Sequence, residues 1–397
     1  MIGTPGFKGQ RLTQAREARG LTAVALAEMI GVKSANISHY EHGKQTPSPE
    51  VMDRIAQVLN CPRAFFLREL RTKDGSCIWY RSMSAATKMS RVRAEARLAW
   101  LKEIVDYLRE YLELPKLNMP AFDLPADVTK ITSAMIEDIA TQCRQFWNLG
   151  DGPISDLVLA LENNGVIVGR GELATETQDS FSQWPTEENP FVYLNSDKAS
   201  AVRLRFDAAH ELGHLLLHRH LDNKQFKTST INRLMENQCH RFGIALLLPA
   251  NRFSTELWAP TLDGFYTLKE RWGVSIAAMI KRCEQLEILD EERTLRAWIN
   301  LSRRGWKKWE PLDDTLVPEL PRVLPRGVEI LSNAGIKTPS QMLVDLAMSA
   351  SDFEDLCCLP SGYTKGNAVG IPKIRALRVD EMKQEGKLMT FQKRQPN

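Results

Sequence analysis

Apolar positions recur every three or four residues along most of the chain, which is the spacing of amphipathic helices. In the first seventy residues, glycine and proline interrupt this spacing at short intervals. The pattern predicts four helices and a short fifth one, over residues 10–18, 23–30, 35–42, 49–59 and 62–67. Thr22 and Ser34 are suited to cap the second and third helices, and Gly31 is suited to end the second. We therefore expect a five-helix domain at the N-terminus.

Beyond this domain the helical spacing continues, with two interruptions that have the composition of β-strands. Helices are predicted over 85–112, 133–147, 153–163, 200–219, 228–247 and about 262–286, and a helical region over about 326–380. The strands are predicted over 165–170 and 191–194. The fold class is therefore mainly α, with one α+β domain that contains a small sheet.

These elements divide the chain into four parts. We expect the five-helix domain over residues 1–72 and a helical connector with a proline-bounded linker over 73–125. The α+β domain follows over 126–310, and a helical C-terminal region without readable chemistry extends over 311–397.

Composition narrows the class of protein. Hydrophobic residues make up 43% of the chain and charged residues 25%, as in soluble globular proteins. No apolar run reaches the roughly 18 residues of a membrane helix, and residues 1–8 lack the apolar core of a signal peptide. We therefore expect a cytoplasmic protein with no membrane partner. Its seven scattered cysteines include no Cys-x-x-Cys pair and indicate free thiols.

Positive charge is concentrated at the N-terminus. The whole chain has a net charge of +3, but residues 1–73 contain eleven Lys and Arg against six Asp and Glu. That segment therefore carries +5, and the remainder carries −2 by difference. A basic N-terminal domain fits a polyanionic partner.

Residues 21–44 have the layout of a helix-turn-helix, whose second helix enters the major groove of DNA. The apolar residues predicted to pack inside it are Leu26, Ile30, Val32 and Ile37. The polar residues left facing outward, as candidate DNA contacts, are Lys33, Ser34, Asn36, Ser38, His39 and Lys44. Lysines suit phosphates, whereas Asn36 and His39 can reach base edges. Double-stranded DNA is the predicted partner.

The run Ile37-Ser-x-Tyr-Glu-x-Gly-Lys44, followed by Pro47-Ser48, resembles the XRE (Cro/cI-like) family of helix-turn-helix domains. The resemblance implies transcription regulation, and it places Arg16 and Glu41 where that family has a buried ion pair. The chain departs from the family early in both helices of the motif, where Gln is common and this chain has Ala23 and Ser34. DNA binding is therefore a firmer expectation than any base contact. A homodimer would read an inverted repeat.

Residues 210–214 read His-Glu-x-x-His within an apolar stretch. His210 and His214, at positions i and i+4, share one face of a helix and can reach one zinc ion. Glu211 is then placed to take a proton from the attacking water and to deliver it to the leaving amine. The motif predicts a zinc metallo-endopeptidase, a hydrolase that acts on protein.

A catalytic zinc needs a third protein ligand, and three residues are candidates. His218 lies a full turn beyond His214, too far to share the ion. His220 has the spacing from His214 found in metzincins, but residue 217 is Leu where that arrangement needs a turning Gly. Glu236 lies on a second helix that can pack across the first, as in gluzincin-type sites. Glu236 is favoured.

The stretch Arg205-Phe-Asp-x-Ala-His-Glu-Leu-Gly-His-Leu-Leu-Leu-His218 resembles the ImmA/IrrE family of metallopeptidases, as does Glu236-x-x-Cys-His-x-Phe-Gly-x-x-Leu-Leu-Leu-Pro249. The resemblance extends over roughly residues 130–290 and implies that Glu236 is the third zinc ligand. His240 stands where that family has Asn or Asp, which leaves open whether it orients a ligand or binds metal.

The family pairing implies a regulator whose peptidase cleaves a repressor, or this chain itself within residues 115–125. Two alternatives from other classes remain. One is a DNA-binding regulator whose metal site is sensory or structural. The other is an antitoxin-like partner protein.

Overall fold

The computed structural model describes residues 3–70, 78–80, 88–173, 180–185, 189–197, 200–219 and 228–365. These residues form sixteen α-helices and a four-stranded sheet, together with short 3-10 helices. The mainly α fold with one α+β domain is therefore confirmed. None of the helices in the described ranges is both long enough and apolar enough to cross a membrane.

Four α-helices and a 3-10 helix form the N-terminal domain, as the sequence predicts: α1 (Gly9–Ala18), α2 (Ala23–Ile30), α3 (Ser34–Glu41), α4 (Pro49–Val58) and Arg63–Leu67. The Thr22 side chain accepts a hydrogen bond from the Ala25 amide, and Gly31 ends α2 with φ 68°. The capping role predicted for Ser34 is wrong. Lys33 is the N-cap of α3, and Ser34 is its first helical residue, without a side-chain cap bond.

The remaining helices include the predicted ones, in order and with shifted boundaries. They are α5 (Lys88–Arg109), α6 (Ser133–Phe146), α7 (Leu157–Asn163), α8 (Ala201–Leu217), α9 (Ser229–Leu247), α10 (Ala250–Glu256), α11 (Leu262–Trp272), α12 (Ile276–Gln285), α13 (Glu291–Arg303), α14 (Val323–Asn333), α15 (Pro339–Leu346) and α16 (Ala350–Leu356). Two of these helices, α10 and α13, were not predicted.

Two predicted helical segments are divided in the structure. Residues 262–286 form two helices rather than one, because Gly273 takes a left-handed conformation with φ 60° and ends α11. The C-terminal segment forms three short helices, and its predicted part beyond residue 365 lies outside the described residues.

The sheet contains β1 (Ile78–Tyr80), β2 (Ile167–Gly171), β3 (Ser180–Gln183) and β4 (Phe191–Asn195), in the order β1-β3-β4-β2. Strand β2 runs parallel to β4, whereas β3 runs antiparallel to both β4 and β1. Strands β1 and β3 are absent from the sequence prediction because they are only three and four residues long. Strand β1 comes from the connector and adds an edge to the sheet beside β3.

The sheet separates two hydrophobic cores. Val168 and Val192 face a core formed with α6, α8, α9 and α12. Ile167, Phe181 and Tyr193 face a second core, which also contains the buried residues of α1–α5 and α14–α16. Neighbouring strand residues point to opposite faces of a sheet, so each strand contributes to both cores. The N-terminal and C-terminal helices therefore share one core on the side of the sheet opposite α8.

The segment between α5 and α6 is not the free linker that its prolines suggest. Met119, Phe122 and Leu124 pack against the first core. The Asn118 amide donates to the Asn164 carbonyl at 3.0 Å, and the Trp147 indole N–H donates to the Asn118 carbonyl at 2.8 Å. Residues 115–125 are thus held on the α+β domain.

The start of the C-terminal region is attached to the α+β domain through helix N-termini. The Glu319 carboxylate accepts hydrogen bonds from the first two amides of α7. The Glu162 carboxylate accepts from the Arg322 and Val323 amides, where α14 begins. A carboxylate is stabilised at these positions because the first amides of a helix lack intrahelical partners.

Candidate metal centre and nucleic-acid interface

Helix α8 presents His210 and His214 on the face that packs against α9. Both rings are almost completely buried, and their centroids lie 4.9 Å apart. Two glycines allow the helices to cross closely. A Cβ added to Gly213 would stand 3.3 Å from the Cα of Cys239, and one added to Gly243 would stand 3.4 Å from the His210 amide nitrogen. This close crossing brings Glu236 of α9 beside the two histidines.

The Glu236 carboxylate spans the two imidazoles. One oxygen lies 3.3 Å from His210 Nε2, and the other lies 3.5 Å from His214 Nε2. These distances exceed the 2.7–2.9 Å or so of a charge-assisted hydrogen bond. They match the separation of roughly 3.3 Å expected between donors that share a tetrahedral zinc with bonds of about 2.0–2.1 Å. The three side chains fit a zinc site.

His214 provides a second observation in favour of a bound cation. Its Nε2 atom is buried and has no hydrogen-bond partner among the described residues. A buried polar atom without a partner costs free energy, which a metal bond would offset. The donor set, two imidazoles and one carboxylate, is one that zinc accepts in catalytic sites.

Cys239 is a second candidate for the third ligand, one that the sequence analysis did not consider. Donor atoms of His210, His214 and Cys239 all lie within 4.8 Å of one another. The Cys239 thiol also lies 3.5 Å from His218 Nδ1, and burial raises its pKa well above the ordinary value. Glu236, in contrast, places an oxygen near each Nε2 atom, so the geometry favours it over Cys239.

His218 contacts His214 from behind the site. Its Nδ1 lies 3.2 Å from His214 Nδ1, and its Nε2 lies 3.0 Å from the Gln238 side-chain oxygen. Gln238 in turn donates to the carbonyl of Val128 at 2.8 Å and to that of Ile131 at 3.2 Å. This chain of contacts fixes the orientation of the His214 ring, as outer partners of metal-binding histidines do.

Glu211 is fully buried between α8 and the sheet. The hydroxyls of Ser180 and Ser182 on β3 each donate to one of its carboxylate oxygens, both at 2.6 Å. Burial raises the pKa of Glu211, whereas His214 and the two serine hydrogen bonds act to lower it. Sequence analysis missed the function of these serines, although their alternate spacing on a strand places both on one face.

Two other histidines were considered from the sequence as possible ligands, and the structure describes one of them, His240. The exposed His240 ring packs edge-on against His210, with centroids 5.0 Å apart, and also against Phe206 at 5.3 Å. His240 is therefore next to one of the candidate zinc ligands. His220 lies outside the described residues.

The helix-turn-helix of the N-terminal domain has the predicted interior. Leu26, Ile30 and Ile37 are buried, and Val32 is partly buried against them. The Arg16 guanidinium binds the Glu41 carboxylate through Nε at 2.6 Å and Nη2 at 3.3 Å. The predicted ion pair between α1 and α3 is therefore confirmed.

The six candidate DNA contacts lie on or beside α3, at differing exposures. Lys33, Ser34, Ser38 and Lys44 are exposed, whereas Asn36 and His39 are half-buried. The third helix thus presents a polar surface with a lysine at each end. Base reading by Asn36 and His39 stays a prediction.

Comparison with known proteins identifies two domains. Residues 161–284 match a peptidase family model described as the IrrE N-terminal-like domain, and residues 12–66 match the helix-turn-helix family model. The chain carries both domains. The first match contains the His210–His214 motif, Glu236 and both serines of β3. It belongs to a metallopeptidase-like family, which implies a metal and usually zinc.

The N-terminal domain is also similar to part of a bacterial regulator. Over 55 residues, 14% of this chain, it is 46% identical to a Bacillus subtilis (strain 168) protein described as the uncharacterized HTH-type transcriptional regulator RghRB. The aligned region spans 40% of that protein. The similarity therefore covers the helix-turn-helix domain and not the rest of either chain.

Proposed function

We propose that this protein is a DNA-binding transcriptional regulator with a zinc-dependent endopeptidase, which cleaves a repressor or the chain itself to switch gene expression. The observation that carries the proposal is the position of Glu236, with one oxygen near His210 Nε2 and the other near His214 Nε2. The helix-turn-helix domain and its similarity to a bacterial regulator support the DNA-binding half.

His210, His214 and Glu236 would hold the zinc ion. When bound, zinc supplies Lewis-acid activation of water and of the peptide carbonyl. Glu211 acts as the general base and acid, taking a proton from the attacking water and delivering it to the leaving amine. Ser180 and Ser182 orient its carboxylate, and His218 orients the His214 ring.

The N-terminal domain would place this peptidase at a chosen promoter. Lys33 and Lys44 would bind phosphates, while Ser34, Asn36, Ser38 and His39 would approach the bases. A repressor bound nearby would then be presented at high effective concentration. Cleavage of the chain itself at residues 115–125 would first require that segment to leave the core on which it packs.

Glu211→Gln tests the proposal. This variant should keep its zinc and its DNA binding but lose cleavage, because Gln cannot accept the proton. Transcript profiles of wild type and Glu211→Gln under DNA damage and other stresses give the cellular readout. Identification of the proteins retained by the inactive variant, by mass spectrometry, names the substrate. Identical profiles under every condition would contradict a peptidase switch.

A DNA-binding regulator with a sensory or structural metal site is the second candidate. The observation that favours it is that both carboxylate oxygens of Glu211 are already bonded to serines inside a fully buried site. Under this alternative, zinc removal would change DNA affinity, whereas Glu211→Gln would not change transcription.

A further inference from the structure

A cavity of about 1500 Å³ opens beside the metal-binding face of α8 and α9. Phe206 and His240, whose rings contact each other beside His210, form part of its wall. A cavity of this size exceeds the usual dimensions of a small-ligand pocket, which are roughly 300–1,000 Å³. It has room for an extended segment of polypeptide.

Another part of the cavity lining comes from α13 and the residues after it. Trp298, Trp306 and Trp309 belong to it, and Trp309 is 58% exposed. These residues lie beyond the part of the chain that matches the IrrE N-terminal-like family, which ends at residue 284. Aromatic side chains are enriched where proteins bind polypeptides, because they bury a large area with few rotatable bonds. This wall is therefore suited to apolar anchor residues.

Basic residues accompany the tryptophans in this part of the sequence. From Arg293 to Trp309 the sequence contains six Arg and Lys residues and no Asp or Glu, but the four arginines line a different cavity. Two of the six, Lys307 and Lys308, line the cavity, are exposed and form no ion pair within the described part of the chain. These two ammonium groups are available to a bound carboxylate.

Most of the acidic residues in the cavity wall already have partners. Lys269 binds Glu310 at 2.9 Å and Asp313 at 2.6 Å. Lys281 binds Glu284 at 2.9 Å, and Asp197 accepts a hydrogen bond from the Leu173 amide at 3.2 Å. Glu287 is the remaining acidic residue of the lining, and it is exposed. The available charge near the tryptophans is therefore positive.

We propose that this cavity is the substrate-binding cleft and that it selects an acidic polypeptide segment with large apolar side chains. The segment places an aromatic or aliphatic anchor against Trp298, Trp306 and Trp309, and carboxylates against Lys307 and Lys308. The inference rests on the proposed peptidase function, whose substrate class it specifies. Continuity of the cavity with Phe206 and His240 favours a peptide over DNA as the occupant.

The test uses two fluorescein-labelled peptides of equal length, one alternating Glu with Trp and Leu, and the other with Lys in place of Glu. Fluorescence anisotropy with the full-length Glu211→Gln variant should show preference for the acidic peptide. Lys307→Glu with Lys308→Glu should weaken that binding about tenfold, since two exposed charge pairs are reversed. Trp309→Ala should weaken both peptides.

Arg293→Glu with Arg296→Glu is the matched control. These arginines lie on α13 but line a different cavity, of about 560 Å³, so the same charge change should leave peptide binding unaltered. Equal effects of the two double variants, or equal binding of the two peptides, would overturn the inference. Loss of duplex DNA binding in place of peptide binding would overturn it in favour of a nucleic-acid surface.

Cleavage assays with the wild-type protein distinguish an error in the proposed cleft from an error in the proposed peptidase function. The acidic peptide should be cut by wild type and not by Glu211→Gln, as mass spectrometry of the products would show. If the acidic peptide binds through Lys307 and Lys308 but is never cut, the cleft stands and the peptidase function fails. If denatured proteins are cut without regard to these lysines, the peptidase stands and the cleft fails.

Discussion

Arg19, the C-cap of α1, and Asp352 of α16 form a two-point ion pair, with Nη1–Oδ1 at 2.8 Å and Nη2–Oδ2 at 2.6 Å. Arg19 Nε also donates to the Leu59 carbonyl at 3.0 Å. The pair joins the N-terminal domain to the C-terminal region across 333 positions of sequence. Asp355, also on α16, binds Arg97 of α5. The C-terminal region therefore binds both the N-terminal domain and α5 through ion pairs of α16.

Arg19→Ala should loosen the N-terminal domain from α16. The pair is mostly buried, so its loss should cost on the order of 2 kcal/mol, in the range of a charged hydrogen bond. Denaturant unfolding should show a lower midpoint, and limited proteolysis should release the N-terminal domain sooner.

Arg63→Ala is the control for this change. Arg63 binds Asp53 within the same domain, but both side chains are more than half exposed, so removal should have no measurable effect. If Arg19→Ala and Arg63→Ala unfold alike, the contact with α16 does not stabilise the protein.

The N-terminal domain was predictable from sequence because its signals are local. Thr22 and Pro49 mark where helices begin, and Gly31 marks where one ends. The ion pair of Arg16 with Glu41 was expected from a family resemblance. The attachment of Arg19 to Asp352 has no local signal. Pairing across such a distance depends on how the whole chain folds.

The candidate metal site was predictable from sequence where its residues lie on one helix. His210, Glu211 and His214 lie on one helix, where spacing alone indicates a shared face. The partners of Glu211 come from β3, a four-residue strand that is held by its neighbours β1 and β4. Periodicity cannot reveal so short a strand, so the hydrogen bonds from Ser180 and Ser182 to Glu211 emerged only from the structure.

Substitution of each candidate third ligand should show whether Glu236 or Cys239 binds the zinc ion. The purified protein should carry about one zinc per chain, and Glu236→Ala should lose it, because two imidazoles alone leave the ion weakly held. Cys239→Ser should retain zinc, since its thiol contacts His218 rather than bridging the two Nε2 atoms. Metal content after dialysis, measured by mass spectrometry, gives the answer.

His220→Ala is the further control, and it should also keep the metal. If Glu236→Ala retained zinc and Cys239→Ser lost it, Cys239 rather than Glu236 would be the third ligand. Loss in His220→Ala alone would support the metzincin arrangement.

Arg16→Ala should unfold the helix-turn-helix domain and abolish DNA binding. The Arg16 and Glu41 side chains are only about a tenth exposed, at 11% and 9%. Removing one partner of a buried pair typically costs roughly 3–5 kcal/mol, because the other charge stays buried alone. Zinc content should not change, since α8 and α9 belong to the other core. Circular dichroism and zinc analysis of one sample would test both, and equal melting of variant and wild type would show that the pair contributes little.

Ser180→Ala with Ser182→Ala should slow cleavage about 10–100-fold, as loss of an outer hydrogen-bond partner does at metal sites. Both hydroxyls donate to Glu211, so without them its carboxylate is buried with fewer partners and more than one orientation. Zinc and DNA binding should be unchanged, because the hydroxyls of both serines donate to Glu211 and not to His210, His214 or α3. Ser254→Ala, at an exposed position of α10, controls for the substitution itself. The sign of the effect matters as much as its size. Faster cleavage in the double variant would mean that β3 restrains Glu211, and that the serines hold the peptidase inactive until β3 moves.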